Sequence, residues 1–274
     1  MYNIENFESS GYVVIKNFLD QHEIHMLLDD YNNYCSQHTI VKNYPEAYCS
    51  SAILDQIKPK IKNLCQLITD QTSITVDTVI PKNLYFDTSW FNAGWHQDHA
   101  SWFLFQDNQN HLNFHLVLSK ENSDQSGLGL IPLDTISQHT GELEHSVSKG
   151  AMSFRSHDGY TDAQDDELGT HFKIPVGLDS IAVYPTVYPG DLLLFRGDVI
   201  HRTQDDNTKR ISLSVRCANS AGIISKSRIV PSTDGNTPEF RLTINQERYN
   251  TVSKIFGDRE IITIGELVEK LFNK

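Results

Sequence analysis

Within "WFNAGWHQDHASWF" stand His96 and Asp98, two residues apart. On an extended segment that spacing sends both side chains to the same side, where an imidazole and a carboxylate reach one ion. About a hundred residues later "GDLLLFRGDVIHRT" runs from a Gly-Asp turn through an apolar strand to His201. Two imidazoles and one carboxylate on one face of an ion leave its other face open, the arrangement of non-haem Fe(II) oxygenase sites. Zinc-assisted hydrolysis is the competing chemistry for the same donors. A binding protein with no activity is a third reading, although none of the donors is missing.

Nine residues beyond His201, Arg210 heads "RISLSVR", where alternation puts Arg210, Ser212, Ser214 and Arg216 on one face. A guanidinium fork matches a carboxylate, so this row suits an organic acid better than a core. Thr203 shares a face with His201 and adds a hydroxyl. In "HLNFHLVL", Asn113 and His115 share a face, and alternation alone leaves open whether it points inward or to solvent. His99 points opposite to His96 and Asp98. Trp90, Trp95 and Trp102 are expected at the mouth of the fold, and Arg155 and His157 in a surface loop.

These residues need elements to hold them. Near the N-terminus "GYVVIKNF" is a strand, and Asp20 with Glu23 forms a capping box for a helix whose apolar face is Ile24, Leu27, Leu28, Tyr31 and Cys35. A second helix presents Ile53, Ile57, Ile61, Leu64, Cys65 and Ile68, with Pro59 expected to kink or split it. From Ser73 the pattern becomes short and β-rich: "SITVDTVI", "NLYFD", "HLNFHLVL", "SIAVY", "GDLLLFR" and "RISLSVR". Short strands without long intervening helices predict an antiparallel sandwich or jelly-roll barrel. Thr263 and Glu266 make a capping box for a last helix with Ile264, Leu267, Val268 and Leu271 on one side. The fold class is thus mainly β with flanking helices, in one domain over residues 1–274. Residues 1–72 carry the first strand and helices, 73–218 the β core and 219–274 a C-terminal extension. Residues 142–179 are expected to be an irregular, lid-like segment.

Thirty-five acidic against 23 basic residues give a net charge of −12, with no basic run. That balance argues against nucleic acid or an anionic membrane as partner and points to a small-molecule substrate. No apolar stretch is long enough to span a bilayer, and no secretory leader is visible. Four cysteines without metal-like spacing suit reduced thiols in the cytoplasm. Nothing in the sequence sets an oligomeric state.

His96-Gln97-Asp98, the "GDLLLFRGDVIH" lead into His201 and the following Arg210 resemble the phytanoyl-CoA hydroxylase-like branch of Fe(II)/2-oxoglutarate dioxygenases. "HLNFHLVL…SGLGLIP" is similar to that family's central strand and the segment after it, and the opening strand and helix fit as well. The resemblance covers most of Gly11 to Ala218. It implies a double-stranded β-helix (jelly-roll, cupin-like) core with Fe(II) on His96, Asp98 and His201. It also implies 2-oxoglutarate as co-substrate, its far carboxylate on Arg210, with Arg216 the alternative clamp, and O₂ as oxidant. Thr203, Ser212, Asn83 and His115 are the further co-substrate contacts expected. Succinate and CO₂ are released as an unactivated C–H of a metabolite or natural-product intermediate is hydroxylated. Halogenating relatives lack the carboxylate, so Asp98 favours hydroxylation or another hydrogen-abstraction outcome. Two departures stand out. Arg210 lies closer to His201 than is usual, and "PLDTISQH" replaces the family's "PGSH".

Overall fold

The computed structural model describes residues 2–39, 47–81, 83–89, 93–97, 110–122, 125, 127–140, 152–165, 171–204, 208–226 and 250–272. Asp98, His99, Trp90 and Trp102 lie outside them. A short helix, α1 (Phe7–Ser10), precedes strand β1 (Tyr12–Ile15). Helix α2 (Gln21–Gln37) opens on the expected capping box, with both reciprocal bonds formed between Asp20 and Glu23. Its Ile24, Leu27 and Tyr31 are buried, and Leu28 and Cys35 pack at the margin of the same cluster.

Helix α3 (Ser51–Gln71) corrects one of the two expectations at Pro59, the split: it runs through the proline as one helix. Pro59 is on the exposed side, while Leu54, Ile57, Ile61, Leu64, Cys65 and Ile68 form an unbroken buried stripe. An interior proline costs roughly 3 kcal/mol. Each of those buried aliphatic side chains contributes about 1.5–3 kcal/mol, so the stripe outweighs the break.

The larger sheet has the order β1–β9–β4–β11–β2, all antiparallel, with β3 also on β11. Its members are β2 (Thr78–Val79), β3 (Leu84–Asp87), β4 (His111–Lys120), β9 (Leu192–Arg196) and β11 (Arg210–Ala218). Alternation sorts its residues. Leu112, Phe114, Leu116, Leu192, Leu194, Leu213, Val215 and Cys217 pack into the cluster that holds α2 and α3. The opposite face carries Asn113, His115 and Val117 on β4, Leu193 and Phe195 on β9, and Arg210, Ser212, Ser214 and Arg216 on β11. This is the barrel interior, which settles the face of Asn113 and His115: they point inward.

The second sheet is built from β5 (Leu128–Ile131) paired with β10 (Ile200–Thr203) and a meander β6–β7–β8 (Met152–Ser156, Thr161–Asp165, His171–Ile174). His96 joins the two parts, bridging to His201 on one side and Ser153 on the other. The stretch expected to be irregular therefore contains three strands. Among their described side chains Phe154, Ala163 and Ile174 are buried and Phe172 is partly buried, among polar neighbours and too sparse to show as alternation. "SIAVY", expected as a strand, is instead the end of a short helix (Leu178–Ile181) and one bridge, Val183 to Leu130. Pro185 follows, and without an N–H it cannot extend that ladder.

Strands β12 (Ile223–Ser225) and β13 (Ile261–Thr263) pair beyond the barrel, and helix Ile264–Phe272 follows. Thr263 Oγ1 accepts from Glu266 N, but the return half of the expected box is replaced. The Glu266 carboxylate is taken by Arg259 and Lys270, which hold it down at about 2. All four cysteines are free thiols, and burial pushes Cys49 up to about 12.

Candidate active site

His96 and His201 face each other as a hydrogen-bonded antiparallel pair: His96 N donates to His201 O (2.9 Å) and His201 N to His96 O (3.0 Å). Their side chains leave the same face, and the ring centroids are 4.3 Å apart. Each ring is oriented by its own main chain. His96 Nδ1 donates to Gly94 O (2.6 Å) and His201 Nδ1 to Val199 O (3.0 Å). A protonated Nδ1 puts the lone pair on Nε2, the tautomer a metal needs. The donor set therefore fits a divalent transition metal, with two preoriented imidazoles close enough to share it. Among the described residues no third His, Cys, Asp or Glu joins them. Asp98, the expected carboxylate, lies outside those residues.

The flanking residues fix this pair. Gln97 is 2% exposed and donates to Asp198 O (2.7 Å), pinning the segment to the turn between β9 and β10. Trp95, expected at the barrel mouth, packs instead on the outer side of the second sheet with Ile131, Phe154 and Ile200. It lies opposite His96 by simple alternation. Arg202 sits 4.7 Å over its ring and pairs with Asp179, which also accepts from Trp95 Nε1 (3.1 Å). On the inner side, Phe195 packs its ring 4.9 Å from that of His201.

Arg210 is 3% exposed at one end of β11. Its main-chain N donates to Thr88 Oγ1 (2.8 Å) and its Nη1 to Gly127 O (2.6 Å), at the start of β5. Thr203 pairs with Leu128, the residue after Gly127, so its hydroxyl and the guanidinium meet at the same end of the barrel. Thr203 Oγ1 accepts from Ala93 N (3.1 Å), tying that end to the segment that leads into His96. Ser212, fully buried, and His115, 6% exposed, line the same inner face farther along. Asn83 is buried too, with Nδ2 donating to Ile80 O and Oδ1 accepting from Arg216 N. That places it at the Arg216 end, its amide engaged by main chain, away from the Arg210–Thr203 end. Arg155 and His157 belong to β6 and the turn after it; His157 pairs with Asp162.

Sequence reasoning offered Arg216 only as the alternative co-substrate clamp and left the face of Asn113 open. They are cross-strand partners on β4 and β11, with Phe195 the next residue across on β9. The signal that was present is the alternation itself, polar at every second position of an otherwise apolar strand.

No curated protein matches the sequence. Solved structures do, at low identity. The α-ketoglutarate-dependent epimerase SnoN from nogalamycin biosynthesis superimposes with a TM-score of 0.52 at 14% identity, covering 85% of this chain and 89% of that one. The carbocyclase SnoK from the same biosynthesis gives 0.54 at 10% identity, covering 85% and 87%. EctD from S. alaskensis, solved with 2-oxoglutarate and 5-hydroxyectoine, gives 0.52 at 12%, covering 80% and 75%. These likenesses establish the double-stranded β-helix. The family model described as phytanoyl-CoA dioxygenase (PhyH) matches residues 7–212, a span that begins at α1, runs through both histidines and ends on β11 just past Arg210. On that match the chain belongs to the phytanoyl-CoA dioxygenase family, with iron as cofactor, 2-oxoglutarate as co-substrate and O₂ as oxidant.

Proposed function

We propose that this oxygenase hydroxylates an unactivated C–H bond of a small-molecule metabolite or natural-product intermediate, with His96, Asp98 and His201 holding the iron. Iron held there would supply the coupling of O₂ reduction to oxidative decarboxylation of 2-oxoglutarate, with succinate and CO₂ as products. The residues of the chain do the rest. Nδ1 hydrogen bonds lock both imidazoles, Arg210 receives the far carboxylate of 2-oxoglutarate, and Thr203 contributes a hydroxyl beside it. Ser212 and His115 line the wall between. The observation that carries the reading is the tautomer-fixed pair His96–His201 on the same barrel as a buried inward arginine.

Protein purified without oxygen and loaded with Fe(II) and 2-oxoglutarate should develop the weak visible charge-transfer band of that chelate. Asp98→Ala should lose the band, and Arg210→Ala should require far more 2-oxoglutarate to reach it. Succinate release with a substrate, matched by a product heavier by one oxygen, establishes hydroxylation. A product of unchanged mass or lighter by two hydrogens would replace it with isomerisation or desaturation. Zinc at the site and no band would overturn the oxygenase reading in favour of metal-assisted hydrolysis.

A further inference from the structure

The inner face of β11 carries two arginines, and the proposed reaction uses only one. When one end of 2-oxoglutarate is on the metal, a single carboxylate is left for a guanidinium. Arg210 is placed to take it, buried at the Gly127–Thr203 end. Arg216 stands six residues along the same strand and the same face, about 20 Å away at the rise of a β-strand. Side chains on a strand stand off the sheet rather than along it, so the two guanidiniums serve different places.

Arg216 has a particular neighbour. Asn113, opposite it on β4, is 1% exposed, and neither Nδ2 nor Oδ1 has a hydrogen-bond partner among the described residues. Burying an unsatisfied amide costs about 1–3 kcal/mol, and Asn113 leaves both its amide nitrogen and its amide oxygen unmet on the inner face, which calls for a ligand. The row continues from Asn113 to Phe195, whose ring touches His201, so Arg216 and Asn113 lie at the level of the metal ligands. Arg216 itself is only partly buried. In a chain of net charge −12, a cation inside the barrel is not generic surface polarity.

We infer that Arg216 and Asn113 form the site for the acid end of the primary substrate, a small carboxylic acid carrying an amine or hydroxyl close to that acid. The guanidinium pairs with the carboxylate, Asn113 Nδ2 donates to it, and Oδ1 accepts from the neighbouring amine or hydroxyl. Both unmet capacities of the amide are then filled by one molecule, and the carbon chain beyond the acid lies towards the iron ligands. This rests on the proposed function for the assignment of Arg210 to the co-substrate.

The test uses the full chain with Fe(II) and 2-oxoglutarate under anaerobic conditions. The probes are the twenty standard L-amino acids, lactate, malate and 3-hydroxybutyrate, each against its methyl ester. Binding is read both as a shift of the charge-transfer band and as a rise in melting temperature. At least one acid should bind and its ester should not. Arg216→Gln should weaken that acid by about 10- to 100-fold, the scale of a lost charged hydrogen bond, while 2-oxoglutarate affinity stays within about twofold. Arg216→Lys should recover part of the loss, and Asn113→Ala should weaken the acid by about tenfold. Melting of each variant without ligand shows that it is folded. Binding of no acid, or equal binding of acid and ester, overturns the subsite. Loss of 2-oxoglutarate rather than the acid in Arg216→Gln overturns it too, and makes Arg216 the co-substrate clamp. If no band forms, the proposed function fails, while the melting shift still reports whether the acid binds.

Discussion

The two ends of β11 offer a controlled comparison: same strand, same face, same residue type, different surroundings. Arg210 is 3% exposed and already held by a carbonyl from the opposite sheet. Arg216 is partly open and sits beside an amide with unmet hydrogen-bonding capacity. The first environment is rigid and shaped in advance, which suits a ligand that is the same in every turnover. The second is incomplete without an occupant, which suits the partner that varies between related enzymes. Preorganisation at one end lowers the ordering cost of binding there, whereas an unfinished site places the burden of fit on the ligand.

The largest expected effect breaks the symmetry of the two arginines directly. Arg210→Gln should raise the dissociation constant for 2-oxoglutarate by about thirtyfold or more, because truncating a buried charged pair costs roughly 2–5 kcal/mol. Isothermal titration of the Fe(II)-loaded protein measures it, and an equal loss in Arg216→Gln would erase the distinction between the ends. Next comes the strand they share. Leu213, fully buried on the helix-facing side between them, should cost about 2–5 kcal/mol as Leu213→Ala in denaturant unfolding. That change should act on stability without favouring either arginine's ligand.

A smaller effect is expected on the second sheet. Arg202→Gln removes the cation over Trp95 and its pair with Asp179, and should destabilise by about 1 kcal/mol. Iron content should be unchanged in this variant, since Arg202 lies on the face away from His201. The smallest concerns the C-terminal extension. Arg259 and Lys270 hold the Glu266 carboxyl down at about 2, below its ordinary 4.5. A lowered folded value means the contribution is present above pH 4.5 and is lost as the pH falls towards 2. Acid titration of Glu266→Gln should therefore converge on the wild-type melting temperature in that window, with the two arginine ends unaffected.

Much of this was legible beforehand where the signal was periodic. Ile24, Leu27 and Tyr31 on α2 and the alternation of "RISLSVR" read directly as one buried face and one inward row. The pairing of His96 with His201 was legible as chemistry, through residue types and spacing, although the main-chain bridge between them was not. Pro59 misled because a local penalty was weighed without the stripe of packing that overrides it. The β6–β8 meander was invisible because each strand fully buries a single apolar residue among its described side chains. Trp95 turned outward because its partner, Arg202, belongs to a strand a hundred residues away. Asn113 carried no distinguishing mark until its neighbours across two strands were known.

His96 is also the joint between β10 and the meander, since its main chain bridges to both His201 and Ser153. A residue that carries chemistry on its side chain and the seam of a sheet on its backbone is doubly constrained in evolution. Turns at the far edge of the meander are free to lengthen, shorten or change sequence as new substrates are taken up. The register at His96 is not, because a slip of one residue would turn the imidazole to the wrong side and unstitch the sheet in the same step. The fold can therefore diversify its outer wall while keeping His96 in place, one route by which sequences this dissimilar retain a common fold.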